Sequence, residues 1–362
     1  MDDGAALPTA AELVAEYDDL FGGGAASRQR LLAAAQSGAL RHKKLHSLCW
    51  KTFMGLLPPV TADGPAASAD ATWPAALAAK RAEYAALKEK YVLDPSTFGD
   101  DDDPLSMAVE SPWAKFHENQ ELVAEIDKDM ERLYPTGCDE YFVDKEVAAL
   151  CQGVLFVWSR MHEDVSYRQG MHELLAPIVW LTLREQAALQ KVTMMGSAGA
   201  AVLPAGLVAA TAPEHAEADI FWCFSYLMGR MKPMFEVNKA GRPMGQRPAA
   251  AAASNNPLGG ALAGAVTGAR AGPAGASEAV SPVLRMAQRI QNELLKGADP
   301  TLHARLDALM IEPQIYAMRW VRLIFGREFH IEDVIVIWDA IFQSETQEFF
   351  RQMEFISAAM LM

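Results

Sequence analysis

Apolar residues recur at helical spacing along most of this chain. The clearest stripe lies near the C-terminal end, where six apolar residues fall on one helical face: Ile331, Val334, Ile335, Trp338, Ile341 and Phe342. Similar stripes occupy residues 144–160 and follow Asp219. No segment shows the alternation of apolar and polar residues that is typical of a half-buried strand. The pattern predicts an all-α fold, an irregular array of about a dozen helices packed by ridges and grooves.

One helix has a recognisable start. Ser111 is followed by Pro112, and this pair is typical of an N-terminal cap and a first helical position. Leu122, Ile126 and Met130 continue the helix at the expected spacing. We expect it to end near residues 135–137, where the sequence is Pro-Thr-Gly.

Three segments interrupt the helical pattern. Residues 58–72 are rich in Pro and Ala, residues 190–213 in Ala and Gly, and residues 238–280 in Gly and Ala with almost no bulky apolar side chain. Such segments bury too little surface to offset chain entropy, so we expect disordered insertions. Between Lys191 and Glu214 this second segment has no charged residue, but it is interrupted by Pro204 and has few large apolar residues, so a transmembrane helix is not expected.

The overall charge bears on the choice of partner. The formal net charge is -14, so the chain lacks the basic surface that displaces counterions from nucleic acid, and nucleic acid is not an expected partner. The N-terminus has no signal-peptide pattern, which favours a cytoplasmic location.

Cysteine and histidine spacing does not indicate a metal site. The four cysteines have no metal-ligand spacing, and Cys151 lies on an apolar helical face where burial as a free thiol is expected. His42 and His46 are four residues apart and could share a metal. Because basic residues surround them, an exposed basic helix face is the favoured interpretation.

The first candidate site is a polar group at 126–132. Ile126, Asp129 and Arg132 are spaced three apart, so on a helix they would lie along one face. Asp129 could then hold the Arg132 guanidinium in one pose while Ile126 anchors the helix. Taken alone, this spacing favours an ordinary surface ion pair.

The second candidate site joins a turn to an apolar segment. Here Gly170 would allow close approach of the backbone, and the Gln169 amide offers both a donor and an acceptor. Taken alone, this is a loop with a polar residue. Taken together, the two sites suggest phosphoryl transfer, because GTP hydrolysis needs positive charge at the developing phosphate charge and a group that orients water.

The two sites resemble the hallmarks of the TBC family of Rab GTPase-activating proteins, which are Ile-x-x-Asp-x-x-Arg and Tyr-x-Gln. In this chain the second reads Tyr167-Arg168-Gln169. Residues 41–50 with 54–58, and residues 319–325 with 338–342, resemble two further hallmarks. Leu133 stands where the family usually has Thr. The resemblance covers residues 13–360 apart from the insertions.

This resemblance implies a GTPase-activating protein that supplies catalytic residues in trans. Arg132 would enter the nucleotide site of a bound Rab, and Gln169 would replace the glutamine of the Rab. Asp129 and Tyr167 would position these two side chains, with Ile126 and Gly170 in supporting roles. It implies no cofactor of its own, since the GTP and magnesium belong to the Rab. A catalytically silent scaffold that binds Rab or retromer is the alternative, although keeping both side chains argues against it.

Residues 111–113, 167–177 and 312–329 are similar to one subgroup of the family. This similarity implies a role at endosomes, with a Rab-seven-like substrate and association with the retromer coat. Leu105 lies in a segment that resembles the loop presented to retromer, and a plain Pro-containing loop is the alternative. Tyr17 and Leu20 resemble an aromatic-x-x-aliphatic motif for autophagy ubiquitin-like modifiers, and a helix core is the alternative. Recruitment from the cytoplasm to endosomal membranes would follow.

The resemblance also sets the expected domain limits. We assign residues 1–39 to a lead-in with a possible short binding motif and residues 40–362 to the TBC domain, interrupted near 190–213 and 238–280. Residues 353–362 are apolar and stop without a polar tail, so we expect the domain to be truncated there.

Overall fold

Helices form all of the regular secondary structure in the residues that the computed structural model describes, which are 7–60, 68–99, 102–104, 108, 111–138, 141–195, 202–235, 281–344 and 346–362. The prediction of an all-α fold is confirmed. Fifteen α-helices are described: α1 (Ala10–Phe21), α2 (Gly24–Gln36), α3 (His46–Phe53), α4 (Ala69–Tyr91), α5 (Pro112–Met130), α6 (Lys145–Met161), α7 (Met171–Met195), α8 (Ala205–Ala210), α9 (Ala216–Phe235), α10 (Pro282–Arg289), α11 (Lys296–Ala298), α12 (Pro300–Ala308), α13 (Ala317–Arg322), α14 (Ile331–Phe342) and α15 (Thr346–Leu361).

These helices belong to two units. The first comprises Met1–Arg230 and Phe325–Phe349, and it includes α1 to α8, most of α9, and α14. Its fully buried side chains include Trp73, Trp158 and Trp338. The second comprises Met231–Ile324 and Phe350–Met362, with α10 to α13 and most of α15. Its core includes Ile290, Leu295, Val321 and Met353.

Short sequence patterns predicted several features of these helices correctly. Helix α5 begins at Pro112 with Ser111 as its N-cap residue, as predicted. Helix α6 begins one residue after Asp144, whose carboxylate accepts hydrogen bonds from the backbone N–H groups of Glu146 and Val147. All six residues of the apolar stripe in α14 are buried. These features depend on neighbours along the chain, which is why the sequence predicts them.

The predicted end of α5 is wrong. The helix ends at Met130, five residues before Pro135, and Glu131 is its C-cap. After Met130 the backbone forms tighter turns, in which the N–H groups of Arg132 and Leu133 donate to the carbonyls of Asp129 and Met130. Pro135 has no N–H to donate and disfavours a helical conformation in the residue before it, so the helix does not resume in this segment. Arg132 therefore lies in a turn beyond the helix and not on the helical face that it was expected to share with Asp129.

Two of the expected insertions are partly helical. Helix α4 begins at Ala69, so the prediction of disorder for 58–72 is wrong at its end. Within 190–213, α7 continues to Met195, and α8 buries Leu207 and Ala210. The small residues of α8 allow close packing, because Gly206 lies against α4 and donates its N–H to Asp70 Oδ1 at 2.7 Å. The expected insertion at 238–280 lies outside the described residues.

His46 is buried, so its expected place on an exposed basic face is wrong. It lies in the first turn of α3, where Nε2 is 2.5 Å from Asp339 Oδ1 of α14. The same oxygen accepts a hydrogen bond from Trp50 Nε1 at 2.7 Å. The Asp339 carboxylate is fully buried and is the hydrogen-bond partner of the buried polar groups of α3. The pattern of charges near His46 in the sequence cannot indicate this distant partner.

Glu185 of α7 gives this region a pH dependence. Burial raises the pKa of Glu185 to about 7, against the opposing effects of His46 and of the hydrogen bond that its carboxylate accepts from Ser47 N at 2.8 Å. Because the folded state holds this proton more tightly than the unfolded state, the stabilisation is complete below the ordinary pKa of 4.5 and is lost as the pH rises through about 7.

We expect Glu185→Gln to remove this loss, because the amide oxygen still accepts from Ser47 and no charge is buried. Between about pH 5.5 and pH 8, the Tm of the wild type should fall by ~2–4 °C more than the Tm of the variant. Thermal unfolding followed by circular dichroism across this range is the measurement. The exposed Glu89→Gln is the control and should keep the wild-type slope. Parallel curves for wild type and Glu185→Gln would contradict the assignment.

Candidate functional site

Arg132 is held at the end of α5 by the residues on either side of it. Met130 and Leu133 are both buried, and the backbone N–H of Arg132 donates to Asp129 O at 3.1 Å. Ile126, one turn before Met130 on α5, is fully buried and anchors the helix as predicted. The Arg132 side chain is exposed. Within the described part of the chain its guanidinium has no hydrogen bond or ion pair, so the expected contact with Asp129 is not present.

The loop that follows Arg132 is held in place at its C-terminal end. Ile331 N, at the start of α14, donates to Thr136 O at 2.9 Å. Gly137 has a φ of +94°, and a Cβ at this position would overlap the His330 ring. Glycine is therefore required there both by the backbone conformation and by the close approach. The arginine lies on a short turn that is fixed on both sides.

Asp129 is bound instead to Tyr167. The hydroxyl of Tyr167 donates to Asp129 Oδ2 at 2.9 Å, and the tyrosine is buried. Burial, together with the Asp129 carboxylate, raises the pKa of the Tyr167 hydroxyl far above its usual value, so it stays protonated. This hydrogen bond ties the segment before α7 to the last turn of α5.

Gln169 lies in the turn that leads into α7. Tyr167 on one side and Met171 on the other are buried, whereas the Gln169 side chain is exposed. Gly170 has a φ of +100°, and its carbonyl accepts from the N–H groups of Glu173 and Leu174, so it caps the helix in a conformation that favours glycine. The Gln169 amide makes no hydrogen bond to another described residue.

The structure thus brings the two predicted segments together through Tyr167 and Asp129. The Arg132 guanidinium and the Gln169 amide are exposed polar groups whose neighbours Leu133 and Tyr167 are buried. A guanidinium can stabilise negative charge that develops on a phosphoryl group, and an amide can orient a water molecule without changing its own protonation. The arrangement suits a site that acts on a molecule bound from outside.

Sequence reasoning gave no role to three residues next to this pair. His172 is buried, with Nδ1 2.8 Å from the Tyr167 hydroxyl oxygen. Its neighbour Glu173 accepts from Arg327 Nε at 2.5 Å. The sequence offers a signal that could have been used: a His and a Glu precede the apolar residues 174–181 in the first turn of α7, and buried polar side chains need partners. Nothing local identifies Arg327, which is 154 positions from Glu173.

The remaining predicted site residues lie elsewhere. Tyr17 and Leu20 are buried in the first unit, and the Tyr17 hydroxyl donates to Asp70 Oδ1 at 2.9 Å. Both side chains thus lie in a helix core, as the alternative interpretation had it, and the modifier-binding motif stays a prediction. Leu105 lies outside the described residues. Cys151 is a buried free thiol, as predicted, and so are the other three cysteines.

Among solved structures, the chain is similar to the Ypt/Rab-GAP domain of Gyp1p, with a TM-score of 0.61 over 98% of this chain and 85% of that chain. The sequences are only 18% identical, so this likeness establishes the fold alone. A family model described as the Rab-GTPase-TBC domain matches residues 106–243 and 278–361. The chain therefore belongs to the RabGAP-TBC family.

Curated relatives agree with this family. The chain is 32% identical over 312 residues to TBC1 domain family member 5 of Mus musculus, covering 84% of this chain and 34% of the relative. It is 27% identical over 375 residues to TBC1 domain family member 5 homolog B of Dictyostelium discoideum, covering 85% of this chain and 35% of the relative. The chain thus spans about a third of the length of these relatives. In the part of the chain with described coordinates, no helix is both long and apolar enough to span a membrane.

Proposed function

We propose that this chain stimulates GTP hydrolysis by Rab GTPases and supplies Arg132 and Gln169 to the nucleotide site of the bound Rab. One observation supports the proposal above others. Both side chains are exposed and unbonded within the described residues, while the segments beneath them are joined by the buried hydrogen bond from Tyr167 to Asp129. A side chain that must enter another protein has to be free in its own.

The chemistry follows from the two functional groups. As the γ-phosphoryl group leaves, negative charge grows on its oxygens and on the leaving group, and the Arg132 guanidinium would neutralise this charge through several N–H donors. The Gln169 amide would accept a hydrogen bond from the attacking water and donate one to a phosphate oxygen or the Rab backbone. GTP and magnesium belong to the Rab substrate, so the chain needs only to deliver the two side chains.

The structure changes the proposed role of Asp129. It was expected to hold Arg132, but its carboxylate accepts a hydrogen bond from Tyr167 and makes none with the Arg132 guanidinium. Asp129 and Tyr167 therefore position the two segments relative to each other. A Rab-seven-like substrate, endosomal recruitment and retromer association stay predictions of the sequence resemblance, and they guide the choice of substrates in the test below.

The experiment is single-turnover hydrolysis of GTP by a panel of Rab proteins, including a Rab-seven-like member, with and without this chain. We expect Gln169→Ala to lower the stimulated rate at least about tenfold while Rab binding stays close to wild type. Gln190→Ala is the matched control, because Gln190 is an exposed glutamine at the far end of α7. Binding without stimulation by the wild-type chain would indicate the scaffold alternative instead.

A further inference from the structure

His172 lies beneath the candidate site, and the chemistry proposed above does not use it. It occupies the first turn of α7, with 3% of its surface exposed, and Nδ1 is 2.8 Å from the Tyr167 hydroxyl oxygen. Its other polar neighbours are farther away: Nδ1 is 3.8 Å from Asp129 Oδ2, and Nε2 is 3.8 Å from Glu173 Oε1. These distances are too long for hydrogen bonds, so the contact with Tyr167 determines which nitrogen of the imidazole ring carries a hydrogen.

Counting protons gives the direction of that contact. The Tyr167 hydroxyl has one proton, and it donates this proton to Asp129, whose ionised carboxylate can only accept. The hydroxyl oxygen can then only accept from His172, so Nδ1 must carry a hydrogen. Burial lowers the pKa of His172 below its usual value, with Asp129 opposing and Arg327 adding to the effect. The ring is therefore neutral, with the hydrogen on Nδ1 and none on Nε2.

The surroundings of Nε2 are compatible with this tautomer. A lone carboxylate at Glu173 would favour a hydrogen on the facing nitrogen. Arg327, however, binds Glu173 through Nε and offsets that negative charge. The charged groups facing His172 are thus Asp129 from α5, Glu173 from its own helix and Arg327 from the segment before α14.

We propose that His172 is a positioning residue for Arg132 and Gln169: its Nδ1–H donates to Tyr167 and so directs the tyrosine hydroxyl onto Asp129. Without this donor the hydroxyl can rotate away and donate elsewhere, and the bond between the two segments is lost. The role rests on the proposed function, because it matters only if the two side chains must be delivered together. Their placement is sensitive, since an error of about 1 Å can cost ~100-fold in rate.

Two variants of matched shape separate this role from simple packing. His172→Asn places an amide N–H₂ near the position of Nδ1 and keeps the donor, whereas His172→Leu has a similar size and no donor. In the single-turnover assay we expect Asn to stay within about threefold of wild type and Leu to lower the maximal stimulated rate ~10–100-fold. The concentration of the chain that gives half-maximal stimulation should change little, because the surface that meets the Rab is intact.

The outcomes distinguish the inference from the proposed function. If wild type stimulates a Rab but Asn and Leu behave alike, the positioning role is wrong and the proposed function stands. If Tyr167→Phe and His172→Leu act through one hydrogen-bonded chain, the double variant should be no slower than the slower single variant. Full multiplication of the two effects would overturn the coupling.

A measurement on the unmodified chain completes the test and does not depend on whether any variant folds. The ¹⁵N and ¹H spectrum of the His172 ring should show a neutral imidazole protonated at Nδ1 at neutral pH. Protonation at Nε2 alone would overturn the inference whatever the rates are. If the wild-type chain stimulates no Rab, the proposed function fails and the catalytic consequence of His172 fails with it, while the spectrum still decides the direction of the hydrogen bond.

Discussion

Replacing Arg132 with alanine is expected to lower the stimulated rate of GTP hydrolysis by ~10³-fold or more, because an arginine supplied in trans contributes about 10³–10⁵ to such reactions. The side chain is exposed, and its removal breaks no hydrogen bond or ion pair among the described residues. The Tm should therefore stay close to wild type. Single-turnover rates at saturating concentrations of the chain are the measurement.

Two companion variants make the Arg132 result specific. Lys128→Ala removes an exposed positive charge one turn before Arg132. It should lower the rate only slightly, because the charge near the site decreases while Arg132 itself is kept. Arg132→Lys keeps the charge but loses the planar fork of N–H donors, so an intermediate rate is expected. If Arg132→Ala and Lys128→Ala have the same modest effect, Arg132 acts through general electrostatic attraction, and the proposed mechanism is wrong.

The parts of the fold that the sequence predicts are those with local causes. The start of α5 at Pro112 and the buried stripe of α14 depend on residues within a few positions of each other. We expected disorder for 190–213 from composition alone. Composition does not show which other helix a segment packs against. Gly206 is useful in α8 because α4 lies against it, and only the tertiary structure shows this.

In the candidate site, too, the sequence predicts some features, and others depend on tertiary contacts. The sequence identifies Arg132 and Gln169 through the family resemblance, but it assigns Asp129 to the wrong partner, because it assumes that α5 continues past Met130. The true partner is Tyr167, 38 positions away. His46 with Asp339, 293 positions apart, shows that burial of a charged group cannot be read from its neighbours in the chain.

A buried ionic cluster in the first unit has no counterpart in the sequence analysis. Lys51 of α3 is almost fully buried, and its ammonium lies 2.8 Å from Asp219 Oδ2 and donates to Ala210 O at 2.6 Å. Arg81 of α4 donates to the same carboxylate through Nε at 2.8 Å. Burial alone would raise the pKa of Asp219, but Lys51 and Arg81 outweigh it, so the pKa lies below its usual value. One carboxylate thus compensates two cations.

Asp219→Asn is therefore expected to lower the free energy of unfolding by ~3–5 kcal/mol, because it leaves the buried Lys51 and the largely buried Arg81 without their counter-charge. Lys51→Met should cost less, since Asp219 keeps Arg81 as its partner. Denaturant unfolding at neutral pH is the measurement, with a lower midpoint at unchanged slope as the expected result. The exposed pair Lys80 and Glu83 provides the control, and Glu83→Gln should stay within about 1 kcal/mol of wild type.

The lowered pKa of Asp219 predicts a pH dependence of stability that is a second test of the same cluster. A carboxyl group whose folded pKa is depressed contributes stability above its unfolded pKa and loses it as the pH falls through the folded value. On acidification, the wild type should therefore lose this contribution below the ordinary carboxyl range, whereas Asp219→Asn has none to lose and the two stabilities should converge. Curves that stay a constant distance apart down to the lowest pH at which the chain folds would show that Asp219 acts through packing and not through its charge.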